Sequence, residues 1–399
     1  MERRKLLLAG AGIAATGAVS LPMITARNAS AAATSGSTMS GPSIFDFGAA
    51  GDGVTDDSAA FTQALAFAAA NGRMVRVPSF TYAIARPIKF TSVGHAGNTW
   101  GLACDGARLQ SKITTGENVI DLVSKHTVRY LRITGGLKIN GTGTDGHGLR
   151  IFCAGSSAFF YNITIDGLSI EGMGKSGLLF EGNVFESVIA NSHFQDNKEN
   201  GATFAHSQGG VCSAINVIGC YFNQNGKYGL CATNFDGVYG GTTDVRVYGG
   251  YCRDNQSYGF YYNNGTAGVT IEQVGFENNC KSLAPGDSKG AHIYGQVSMR
   301  LLNCVGYNQY GGATYLLRGW FSGLTTLEGC SQDSGAQMAA TGKSRLVQID
   351  GDANGHVYMR NCTGGIALKN ATTSCTWKAE NCTGQSPLGN LNVRGIVGV

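Results

Sequence analysis

Proline is nearly absent from this chain, six residues in 399, and only 14% of the residues are charged. Scarce proline, with glycine in no fixed period, excludes a collagen-like assembly. Little charge beside 43% hydrophobic residues excludes a disordered chain, which needs the opposite balance. No Cys-x-x-Cys pair and no Cys/His spacing marks a zinc site. The apolar run from Leu6 to about Val19 is shorter than the ~20 residues a membrane span needs, so no stable membrane anchor is expected.

Glycine is abundant, 60 residues, about twice its usual share. Many glycines without proline suit tight turns between short strands. A chain of 399 residues is also long for one globular core. A solenoid escapes that limit because each repeat packs only on its neighbours.

The first 33 residues read as an export signal. Arg3-Arg4-Lys5 precede the apolar run, and Ala29-Ser30-Ala31 with the following alanines offer small-residue cleavage sites. The paired arginines are of the twin-arginine type, which predicts a periplasmic or extracellular protein. Residues 34–43 are rich in Ser, Thr and Gly and read as a linker, leaving one domain over residues 44–399. The signal takes four of the 30 bases and one of the 26 acids, leaving 26 against 25. A net charge of +1 gives no reason to expect nucleic acid as a partner.

Twelve cysteines in an exported chain would ordinarily suggest disulfides. Five of them recur in one local frame, VIGC, LLNC, LEGC, MRNC and AENC, at Cys220, Cys304, Cys330, Cys362 and Cys382. A residue type returning at one repeat position is expected to stack on itself, here as buried free thiols.

Near the N-terminus, SAAFTQALAFAAAN places Phe61, Leu65 and Ala68 on one helical stripe, with Asp56 or Asp57 as N-cap and Asn71-Gly72 as the stop. From Gly148 the chain falls into rungs. GLRIF, GLLFE, GATFA, GLCAT, GFYYN and GAHIY start at residues 148, 177, 201, 229, 259 and 290, and looser copies follow. Each rung carries a second strand, such as ITIDGLSIEG or INVIGCYFNQN. Short strands at this period predict a parallel β-helix, right-handed by the rule for parallel crossovers, with the helix closing its end.

The segment FDFGAAGDGVTDDSAAFTQAL…VRVPSFTYAI resembles the N-terminal signature of the pectate lyase superfamily, which includes polygalacturonase-like hydrolases and tailspike proteins. The resemblance implies a right-handed parallel β-helix and work on acidic or complex polysaccharides. Its acids, Asp46, Asp52, Asp56 and Asp57, suit turns and caps. Thr144-Asp145-Gly146-His147-Gly148 looks like two polygalacturonase motifs fused in one rung, implying Asp145 as an acid with His147 beside it. The Asp-Asp pair and the Arg-Ile-Lys motif of that family are missing.

Strand alternation gathers candidates on one face of the rungs. Asp145, His147, Arg150, Glu181 and His206 are the expected catalytic set, and Lys175, Glu199, Tyr261, His292 and Tyr294 the expected substrate-binding set. Asn264 falls in the column of His206. Arg318 and Asp350 mark an alternative site in later rungs. The predicted function is an exported enzyme, a lyase, epimerase or glycoside hydrolase, acting on an acidic or complex polysaccharide. The alternative is a polysaccharide-binding or adhesion protein. No metal ligands are assigned and no cofactor is certain, with a divalent cation such as calcium left open. A monomer or homotrimer is expected.

Overall fold

A computed structural model describes residues 41–398 apart from 93–96, 154, 156, 236–241, 264–267, 285–286, 288, 322, 335–344, 351–354, 370–375, 387–388 and 394–395. The predicted signal and most of the linker lie outside the described residues. So do Asn264 and Cys375.

The chain is a right-handed parallel β-helix. Each coil visits three sheets in a fixed order. In one coil, Leu149–Cys153 lies in sheet 3, Phe159–Tyr161 and Thr164–Asp166 in sheet 1, and Ser169–Glu171 in sheet 2, before Leu178–Glu181 returns to sheet 3. Among the described residues sheets 2 and 3 have 11 strands each, and sheet 1 belongs to a 15-stranded sheet. Pairing between successive coils is parallel, as in Leu149↔Leu178 and Leu178↔Ala202. Near the C-terminus the pairing turns antiparallel, where Ile396–Gly398 meets Thr376–Glu380 and Cys382–Ser386 meets Gly389–Val393. Among the described residues no helix is long and apolar enough to cross a membrane.

What looks like one second strand per rung in the sequence is two strands at a sharp corner. The corner residue adopts a left-handed conformation, as at Gly167 (φ 73°), Asn191 (49°), Gly219 (60°) and Asn303 (50°). Glycine and asparagine tolerate this region best. The residue after the corner points inward. Cys220, Cys304, Cys330, Cys362 and Cys382 hold this position and are buried as free thiols. Four of these thiols, Cys304, Cys330, Cys362 and Cys382, stack in successive coils, while Gly250 and Val274 separate Cys220 from them.

Helix α1 (Ser58–Asn71) buries Ala60, Phe61, Ala64, Leu65 and Ala68 over the first coils and ends at Gly72 in the left-handed conformation. Asp57 precedes it but makes no side-chain cap bond. Its carboxylate instead accepts the Ala50 and Gly51 N–H groups, at 2.6 and 3.3 Å. Asp56 accepts from the N–H groups of Ser58 and Ala85 and pairs with Arg86. Asp52 accepts from Val54 and Thr55, and Asp46 from Ser43. The acids of this segment tie its own turns together.

The corner entering sheet 3 is occupied by Gly148, Gly177, Gly201, Gly229 and Gly259, and the reason is steric. A Cβ on Gly229 would fall 2.5 Å from Cys252 Sγ and 2.9 Å from Phe222 Cβ.

Candidate functional site

The outer face of sheet 3 presents its residues in columns fixed by the ladders. One column runs Lys89, Asp121, Arg150, Leu179, Thr203, Cys231, Tyr261, Tyr294 and Arg318. Beside it, just before the corner, stand His147, Ser176, Asn200, Tyr228 and Tyr258. One residue further out stand Lys175, Glu199 and Lys227. From Lys89 to Cys231, the first six strands of sheet 3, these columns line a cleft of about 730 Å³.

Arg150 lies near the centre, with its guanidinium between two carboxylates, Glu181 at 2.9 Å and Asp121 at 3.4 Å. It also lies over the Phe152 ring at 4.2 Å. Glu181 accepts a second bond from the Ser207 hydroxyl. At the cleft edges Lys89 pairs with Glu117 at 2.9 Å and Lys227 with Glu199 at 3.7 Å. Lys175 differs: among the described residues it has no ion-pair partner, although it lines the same cleft.

His147 sits beside Lys175. Its Nδ1 accepts the Ser176 N–H at 3.2 Å, which leaves Nε2 to carry the proton of the neutral ring. Burial, with Lys175 and Arg150 nearby, depresses its pKa to about 4. The ring is therefore neutral at pH 7 and offers an N–H donor next to an uncompensated ammonium. Together the two suit a carboxylate.

His147, Arg150, Lys175, Glu181 and Glu199 all line the cleft. The other expected residues fall elsewhere. Asp145 is 2% exposed and does not line it. Its carboxylate accepts the N–H groups of Thr142 and Gly174, both at 2.9 Å, and so clamps two successive turns. His206 is 6% exposed, with Nδ1 3.1 Å from Asn234 Oδ1, and is also outside the lining. Tyr261 and Tyr294 stack on each other beyond the cleft, with centroids 5.4 Å apart. Tyr294 is in the column of Tyr261, one pleat from where a count from Gly290 places it.

His292 requires the largest correction, because it faces the core. Phe260 pairs with Ile293, so His292 takes the corner position that glycine holds in earlier coils. It is fully buried against Phe276. A buried ladder of amides, Asn197, Asn225, Asn255 and Asn279, ends on its Nδ1 at 3.0 Å. Burial depresses its pKa to about 3. The register error comes from the connection into this strand, which has 13 residues where the four preceding coils use six.

Sequence reasoning missed Asp121, Tyr228 and the lysine of the first sheet 3 strand, Lys89. Asp121 lies in IDLVS and Lys89 in IKFTS, strands whose alternation is readable but which lack the leading Gly used to align the rungs. Among the described residues no group of three or more His, Cys, Asp or Glu side chains is arranged to hold a metal ion.

No protein-family model and no curated protein matches the chain. Solved structures do share its fold. The A-module of a mannuronan C-5 epimerase from Azotobacter vinelandii aligns with a TM-score of 0.58 at 16% identity, covering 87% of this chain and all of that one. PfbA, a surface adhesin of Streptococcus pneumoniae, aligns with a TM-score of 0.61 at 11% identity, covering 87% of this chain and 91% of the adhesin. The tailspike protein of Acinetobacter baumannii phage AM24 aligns at 0.51 and 15%, covering 87% of this chain and 56% of the tailspike. At such identities the likeness establishes the β-helix fold and leaves function to the site.

Proposed function

We propose that the cleft on sheet 3 binds an acidic polysaccharide and acts on its uronate units. The supporting observation is the pair formed by Lys175, without an ion-pair partner among the described residues, and His147, a neutral N–H donor beside it. A sugar carboxylate bound there meets a full positive charge and a directed donor. Neutralising that carboxylate makes the hydrogen on the adjacent carbon more acidic. Glu199, in the column of Lys175 and held by Lys227 at only 3.7 Å, is the candidate base. Loss of that proton leads to elimination, in which the C4–O bond breaks as the C4–C5 double bond forms and the departing sugar oxygen takes a proton from water, or to epimerisation when a proton from water returns on the opposite face.

Hydrolysis fits less well. It needs one carboxyl that donates a proton and one that accepts. Asp121 and Glu181 are both engaged as acceptors by the same guanidinium. One observation favours a second reading, a binding protein without catalysis. Each carboxylate named in the cleft, Glu117, Asp121, Glu181 and Glu199, already has a cationic partner. The N-terminal Arg3-Arg4-Lys5 segment supports placing either activity outside the cytoplasm.

A panel including mannuronan and polygalacturonate tests the proposal. Ultraviolet absorbance marks elimination, new reducing ends without absorbance mark hydrolysis, and changed sugar stereochemistry by NMR marks epimerisation. Retarded migration of an unchanged polymer marks binding alone. Lys175→Met is expected to weaken binding of the best polymer at least about tenfold, as loss of a charge-assisted contact of about 1.5–3 kcal/mol implies. Wild-type affinity in a folded Lys175→Met variant would overturn the assignment.

A further inference from the structure

Among the described residues the lining of the cleft ends at the sixth strand of sheet 3. Its last lining coil carries Tyr228, Cys231, Thr233 and Phe235. The Tyr228 ring lies face to face with Tyr261, centroids 4.4 Å apart and planes 4° from parallel. Tyr261 stacks in turn on Tyr294 at 5.4 Å, and Tyr258 on Tyr294 at 5.1 Å. The four rings occupy three successive coils, Tyr258 and Tyr261 sharing one, and Tyr228 is the member that meets the cleft.

The space behind them is filled. Lys289 O, two residues before the strand Ala291–Gly295, accepts the Tyr258 hydroxyl at 3.3 Å. Asp287 O accepts the Thr314 hydroxyl at 3.0 Å. Ala291 and Tyr315 are buried, with Tyr258 packed against them. Beyond them Arg318 and Asp350, on the same outer face, form an ion pair with side chains only 13% and 9% exposed. A polymer lying along the columns of His147 and Lys175 therefore meets a wall of tyrosine at the coil of Tyr228. Toward the other end, Lys89 is 62% exposed.

We infer that this cleft takes the end of an acidic sugar chain, its terminal ring packed on the face of Tyr228, rather than an interior stretch of polymer. The inference rests on the polysaccharide reading of the same cleft and adds which part of the polymer is bound. An aromatic face suits the C–H face of a pyranose ring, because both are apolar and flat over a similar area. The lining columns span six coils, from Lys89 to Cys231, or about 24 Å at the inter-strand spacing. That is room for a few sugar units, with the carboxylate at Lys175 two coils from the Tyr228 wall.

Calorimetry with the full chain tests this. The probes are mannuronate and galacturonate oligomers of two to eight units, and polymers of each sugar at equal mass and different mean length. Affinity is expected to rise with oligomer length and then level. For polymers, the number of sites per gram should follow the number of chain ends. Tyr228→Ala should weaken oligomer binding about tenfold and Tyr228→Phe less than twofold, with melting curves checking that both fold. Sites per gram independent of mean length, or unchanged affinity in folded Tyr228→Ala, would overturn the chain-end inference and leave the polysaccharide reading standing. Absence of binding by any of these probes would overturn both.

Discussion

The coils around Gly201 and those around Tyr315 share one backbone plan and differ in what fills it. In the first group the corner into sheet 3 is glycine, the interior opposite holds Phe194, Phe222 and Cys252, and the outer face is open and charged. In the second group the same corner is held by His292, Leu316 and Leu346. The interior there thins to Gly306, where an added Cβ would lie 3.0 Å from His292 Cδ2. The outer face carries stacked tyrosines, with Asp287 and Lys289 bonded to Thr314 and Tyr258 beside them. Bulk lost on one wall of the solenoid is gained on the adjacent one, as close packing requires. The cleft exists where the outer columns carry short or charged residues and ends where they carry rings.

The largest effect is expected from forcing the second pattern on the first. Gly229→Val places two methyl groups where Phe222 and Cys252 already stand. Overpacking of this kind costs about 1–3 kcal/mol, and a backbone shift here would also displace Tyr228. Urea unfolding of the variant should show this loss. A stability within about 0.5 kcal/mol of the parent would mean that glycine is not required by packing at this corner.

Smaller in effect is His292→Leu, which substitutes the residue that the next two coils use at the same corner. The pKa of His292 is depressed in the folded chain, to about 3 from an ordinary value of 6.5. The unfolded chain therefore binds this proton more readily than the folded one. Stability tied to the neutral ring is complete above about pH 6.5 and is lost as pH falls toward 3. His147, with its pKa near 4, contributes in the same direction. His292→Leu should leave stability at pH 7 nearly unchanged and move the acid unfolding midpoint to lower pH. An unmoved midpoint would show that protonation of His292 does not drive acid unfolding. Asn279, which loses a partner in the variant, still donates to Cys252 O at 3.0 Å.

The sequence makes the first pattern legible because its leading glycines repeat at 24 to 30 residues, from Gly148 to Gly259. Alternation from those glycines correctly puts Arg150 and Tyr261 outside and Phe180 inside. It fails at His292, because the connection into that strand is longer and Gly290 no longer marks the corner. It also misses the strands Ile88–Ser92 and Ile120–Ser124, which have no leading glycine, and with them Lys89 and Asp121. Asp145 fails for another reason. A Gly-rich turn that needs a carboxylate for its own N–H groups has the same local sequence as one that offers the carboxylate to a substrate. Only the 2.9 Å bonds to Thr142 and Gly174 separate the two.

The smallest effect, that of Cys330→Ser, is expected in the column behind the corner between sheets 1 and 2, where the two groups of coils again differ. Ser192 occupies it in the open group and Cys330 in the closed one, both buried. Ser192 Oγ donates to Ala190 O at 2.7 Å, two residues back, and Cys330 Sγ reaches Glu328 O, also two residues back, at 3.5 Å. The backbone therefore already offers a serine hydroxyl at residue 330 its acceptor, so Cys330→Ser should cost no more than about 1 kcal/mol. Cys330→Leu is different, although Leu168 is buried at the same position. Leu168 has Ser192 as its neighbour in the next coil, whereas Cys330 has Cys304 on one side and Cys362 on the other. Added volume there has no small neighbour to take it up, and a loss of about 1–3 kcal/mol is expected. Thiol accessibility gives a second measurement on the unmodified chain. The Cys304 thiol and burial push the Cys330 pKa up to about 12, so the thiolate that reacts with disulfide reagents is scarce at pH 8. Cys330 should react at the rate of global unfolding. Rapid labelling of the folded chain would show that this column opens locally and does not behave as part of the core.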